Sequence, residues 1–130
     1  MSFSNLLAII SLCIVSQIQE LVAQDISHSF FIAGPTLTGV VDEFNQVLWD
    51  AEKPGARDGF MLENGHLLIC WSDEVKEFDV DKQVIFHYVL SGDNKELGTV
   101  QRLQNGHTLI TELGSNPRLL EVTTDGATAV

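Results

Sequence analysis

Residues 59–69 read GFMLENGHLLI, and residues 100–110 read VQRLQNGHTLI. The two blocks share Leu-x-Asn-Gly-His-x-Leu-Ile at a spacing of 41 residues. In each, Asn-Gly stands between apolar-rich runs, the strongest two-residue signal for a hairpin. A type I′ turn needs positive φ at both central residues, and Asn and Gly tolerate that best. The blocks therefore predict that Phe60–Glu63 pairs with His66–Cys70, and that Val100–Gln104 pairs with His107–Thr111.

The pattern extends outward from these hairpins. Residues 43–49 read EFNQVLW and residues 77–86 read EFDVDKQVIF, so each Asn-Gly block follows a second matching one in the same order. A third, partial copy runs from Glu121 to Gly126 as EVTTDG. Val47–Trp49, Val75–Asp79, Val84–Tyr88 and Leu119–Thr123 read as further strands, being rich in β-branched, aromatic and other apolar residues. After residue 30 no window carries a helical period. These features predict an all-β chain of antiparallel, four-stranded repeats. A period of about 40 residues is the mark of a β-propeller blade or a similar stacked unit.

The run Val75–Phe86, with its Glu77-Phe78-Asp79 and Gln83-Val84-x-Phe86, followed by Leu-x-Asn-Gly-His-x-Leu-Ile, resembles the repeats of quinoprotein-like propellers. It is most similar to arylsulfotransferase-type and related secreted bacterial propellers, over roughly residues 40–130. The resemblance implies blades, which serve enzymes, scaffolds and binding proteins alike. The quinone-propeller repeat ends in a Gly-Lys-x-x-Trp-like docking segment. Here Lys82 follows Asp81 and Phe86 takes the place of Trp, while Trp49 fits in the other copy. No cofactor is expected on these residues.

Composition bounds the rest. The chain has 130 residues, 18 acidic against 7 basic side chains and a net charge of −11. That allows one small domain, and the acidic balance argues against nucleic acid and anionic membranes as partners. With 45% hydrophobic residues the chain has enough apolar surface to fold. Residues 6–15, LLAIISLCIV, are too short to span a bilayer and fit the apolar core of a secretory signal, although residues 1–24 contain no Lys or Arg. The expected organisation is a signal peptide over 1–24 and blade-like repeats over 25–130. Cleavage would remove Cys13 and leave Cys70 alone in an apolar run, where an inert, buried thiol is expected.

The repeats amount to about two and a half blades, whereas propellers take four to eight. Three accounts stay open: a portion of a longer propeller, a ring completed by several copies, or a small free-standing sheet array. Alternating strand direction brings His66, His107, Asp79 and Asp81 toward one end of the blades, forming a rim for a ligand. The plainer expectation is that the two histidines bond locally within their hairpins. Asp79-x-Asp81-x-Gln83 begins like a calcium loop. It has Val84 where Gly is needed and Leu90 where Glu should chelate, so no metal is expected. His87 reads as a partly exposed strand residue, and Glu112–Pro117 as a connector. Trp49, Trp71 and Phe86 read as packing between blades. The expected function is a secreted binding or scaffold unit without its own catalysis. Its ligand or protein partner is unknown, and self-association to complete a propeller is one possibility. The alternative is part of a secreted propeller enzyme.

Overall fold

Ten strands follow one another along residues 26–129, the part of the chain that the computed structural model describes. In chain order they are β1 (Ser29–Ala33), β2 (Thr38–Asp42), β3 (Val47–Asp50), β4 (Asp58–Met61), β5 (Leu67–Cys70), β6 (Glu74–Phe78), β7 (Val84–Val89), β8 (Asn94–Arg102), β9 (Thr108–Gly114) and β10 (Arg118–Val122). They form three antiparallel sheets, β1-β2-β3, β4-β5-β6-β7 and β8-β9-β10, with every strand beside its sequence neighbour. The expected all-β, blade-like architecture is what the chain adopts. The expected signal segment, residues 1–24, lies outside the described residues.

The middle sheet has four strands as anticipated, and each flanking sheet has three among the described residues. Register makes the repeat explicit. Leu68 pairs with Glu77 and Cys70 with Val75, while Leu109 pairs with Glu121 and Thr111 with Leu119. In the first sheet Phe31 pairs with Val40, so β1 and β2 occupy the places of β5 and β6. By this count the first sheet has no counterpart of β4 among the described residues. The third begins a counterpart of β7 at the isolated bridge between Val122 and Thr128.

The hairpin turns differ from expectation. The Gly65 amide donates to the Leu62 carbonyl at 2.9 Å, and the Leu62 amide donates to the His66 carbonyl at 2.8 Å. Gly65 has φ +82°, but Asn64 is not among the residues with positive φ. This is a three-residue loop, a type I turn closed by one left-handed residue, rather than a two-residue type I′ turn. Asn64 acts through its side chain instead, its Oδ1 accepting from the His66 amide at 3.0 Å. Leu103–His107, Asp42–Gln46, Asp79–Gln83 and Thr123–Ala127 repeat the hydrogen-bond pattern, with Gly106, Asn45, Lys82 and Gly126 as the left-handed residues.

Alternation along the strands gives the middle sheet two apolar faces, each covered by a neighbour. Leu67, Ile69 and Trp71 pack on Val40, Phe31 and Trp49 of the first sheet. Leu68, Cys70, Val75 and Phe86 pack on Leu97, Val100, Ile110, Leu120 and Val122 of the third. The Trp71 indole donates to the Lys53 carbonyl at 3.0 Å. Trp49, Trp71 and Phe86 thus pack between sheets, as their setting in the sequence suggested.

Candidate functional site

The loops β4–β5 and β8–β9 lie side by side where the middle and third sheets diverge, and between them opens a groove of about 820 Å³. Phe60, Met61 and Ile85 line it, and all three are exposed. Phe60 and Met61 lie on β4 and Ile85 on β7, the two outer strands of the middle sheet.

At its floor His66, Glu77 and Arg102 interlock. His66 Nδ1 lies 2.8 Å from Glu77 Oε1, and a carboxylate only accepts, so His66 carries a proton on Nδ1. Arg102 Nη2 donates to the other oxygen, Glu77 Oε2. Arg102 Nη1 donates to the Gly106 carbonyl at 2.6 Å, and the guanidinium lies 5.5 Å over the Phe86 ring. The Glu77 side chain is only 7% exposed, so the pair is shielded from solvent and fixed on both sides. Arg102 Nε is buried without a partner. Gln101, Gln104 and Asn64 add neutral hydrogen-bonding groups, and Glu63 adds a second carboxylate.

Of the four residues singled out in the sequence, only His66 lines this groove. His107 bonds within its own repeat, Nδ1 to Glu121 Oε1 at 2.6 Å, and the Asn105 amide donates to the same oxygen at 2.9 Å. Those two bonds, Asn105 foremost, hold the Glu121 carboxyl below its ordinary range. The Asp79 carboxylate is turned on its own loop, accepting from the Asp81 and Gln83 amides at 2.9 and 2.8 Å. Asp79 also lines a smaller hollow of about 200 Å³ between the first and middle sheets, beside Leu48 and Val80. Asp81 is exposed. Each of the two imidazoles therefore bonds a glutamate of its own repeat on the following strand, β6 or β10, outside the hairpin within which local bonding was expected. Among the described residues no three His, Cys, Asp or Glu side chains gather as a metal site.

Glu77 was not singled out in the sequence, although a signal for it exists: His66 and His107 are each followed by a glutamate on the next strand. Arg102 carries no local signal, because its partner lies 25 residues away on another sheet.

Three other side chains, Glu112, Cys70 and His87, are buried or hydrogen-bonded elsewhere. Glu112 is fully buried and accepts from Tyr88 Oη at 2.6 Å, Asn94 Nδ2 at 2.9 Å and Arg118 Nε at 2.8 Å. Burial pushes its pKa up, but these bonds outweigh burial and hold it at about 2. Glu112, Leu113 and Gly114, read as the start of a connector, are instead the end of β9, and Glu112 ties that strand to Tyr88, Asn94 and Arg118. Cys70 is buried, and burial pushes its thiol up to about 12, opposite to what a nucleophile needs. His87, on the exposed side of β7, bonds Glu74 at 2.8 Å.

The sequence matches no protein-family profile and no curated protein. Among solved structures the fold is similar to that of a protein of unknown function from Bacteroides caccae, determined at 1.35 Å resolution. The TM-score is 0.63 at 16% sequence identity, over 78% of this chain and 39% of that one. The likeness concerns the fold. The chain spans about two fifths of that protein's length.

Proposed function

We propose that the chain is a secreted, propeller-type repeat module that binds a ligand in the groove between its middle and third sheets and performs no catalysis of its own. The observation that carries this reading is the groove itself: a concavity of about 820 Å³ combining exposed apolar walls with a few fixed polar groups. Its polar groups are held by one another, which suits them to orienting a ligand rather than exchanging protons with it. The Arg102 charge is matched by Glu77, and Glu63 stands at the edge. An anionic ligand is disfavoured by that balance. An uncharged, amphipathic ligand bearing hydroxyl or amide groups fits best. Secretion through residues 1–24 is part of the same proposal, as is kinship with quinoprotein-like and arylsulfotransferase-type propellers.

The test is isothermal titration of the full chain with two uncharged probes, a neutral oligosaccharide series and end-blocked neutral peptides, against Phe60→Ala. One probe class should bind, and Phe60→Ala should weaken it by roughly tenfold, as removal of an aromatic anchor does. Binding of neither class, or affinity indifferent to Phe60, would contradict the groove as the site.

A second reading has its own support. Because the chain spans about two fifths of its structural neighbour, it also suits a portion of a longer propeller enzyme. Coding sequence continuing the 41-residue pattern, with turnover only in the longer product, would favour that reading.

A further inference from the structure

The blades contact one another through one repeated interface, and among the described residues each half of it recurs with exposed apolar side chains, one on the third sheet and one on the first. On the middle sheet the side facing the third consists of Leu68, Cys70 and Val75, each 0% exposed, with Glu77 beside them. The same register positions on the third sheet are Leu109, Thr111, Leu119 and Glu121. Leu119 is 59% exposed, Leu113 adjoins it at 39%, and Leu109 and Thr111 are only partly covered. The opposite half follows the same rule. Leu67 and Ile69 of the middle sheet are 5% and 0% exposed against the first sheet. Their counterparts there are Phe30, 53% exposed, and Ile32, only partly covered.

We propose that the open side of the third sheet, centred on Leu109, Leu113 and Leu119, seats the open side of the first sheet, centred on Phe30 and Ile32, of a second copy of this chain. The occupant follows from the interface already present twice within the molecule. A surface of Leu68–Cys70–Val75 type receives one of Leu67–Ile69 type, and a second copy offers that complement in the correct order. The contact is head-to-tail, so it unites two different surfaces and continues the stacking rather than closing on itself at two copies. Apolar side chains that form the core elsewhere in the array are the ones buried by it.

The experiment uses the full chain with sedimentation and light scattering over a wide concentration range. The variants are Leu119→Glu and Phe30→Glu, both at half-exposed or more exposed positions, with circular dichroism checking that each keeps its β signal. The unaltered chain should exceed the mass of one copy and grow with concentration. Each variant alone should fall to the mass of one copy. An equimolar mixture should recover two, because the intact first sheet of the Leu119→Glu chain can meet the intact third sheet of the Phe30→Glu chain. A single-copy mass for the unaltered chain at every concentration overturns the proposal. So does assembly that neither substitution disturbs, or variants that dissociate but do not complement one another.

Discussion

At the scale of single residues the largest commitment is Glu112, a carboxylate that is fully buried and serves Tyr88, Asn94 and Arg118 together. Glu112→Gln keeps the shape but leaves Arg118 without its counter-charge and Tyr88 with a poorer acceptor. It should lower stability near neutral pH by about 3 kcal/mol, read from urea unfolding. The pH dependence has a definite sign. Glu112 is held at about 2 in the fold against an ordinary 4.5, so its contribution is complete above about pH 4.5 and disappears as pH falls toward 2. Glu74 behaves alike: burial raises it, but bonds from Lys53, Lys76 and His87 bring it to about 2. The acid arm of the stability curve should therefore fall between about pH 4.5 and 2, and Glu112→Gln should make it shallower. An unchanged acid arm would show that the network does not hold the carboxylate as described.

At the scale of elements, the loops rather than the strands set the register. Each of the five tight loops spends one left-handed residue, and glycine fills that place in three of them. Gly65, at φ +82°, meets only a Val80 methyl at 3.7 Å if a Cβ is added, so Gly65→Ala should cost about 1–2 kcal/mol from backbone strain alone. Thermal unfolding reads that directly, and a neutral result would place the strain elsewhere. The hairpins were legible in the sequence because a turn is local: Leu-x-Asn-Gly-His fixes where the chain reverses. The turn type was not legible, since Asn-Gly serves both loops and the choice depends on strand twist and on Asn64 bonding the His66 amide. The strands β1 and β2 went unread because their repeat similarity is carried by pairing register, not by identical letters. In the groove, His66 was legible from its motif and Glu77 from its recurrence after the histidine. Arg102 was not, because only the stacking of two sheets brings it to Glu77.

At the scale of the whole molecule, the described residues place the middle sheet between the other two, covered on both sides. The core therefore forms two clusters, one through Leu68, Val75, Val100 and Ile110 on one face and one through Ile69, Trp71 and Val40 on the other. The same stacking bounds the groove, where Phe60, Met61 and Ile85 of the middle sheet stand open beside the Glu77–Arg102 pair and Gln101 and Gln104 line it from the third sheet and its loop. Order in the sheets and a vacancy between them thus come from one repeat read twice with different neighbours. The central claim is that ligand enters there. The most direct measurement is a map of backbone amide chemical shifts during titration with the neutral probe that binds. The account predicts that shifts concentrate in the β4–β5 and β8–β9 loops, at Met61–His66 and Gln101–Gly106, with little change near Asp81 or at the Glu112 network. Shifts centred on Asp79 and Asp81, or spread evenly over the sheets, would contradict it.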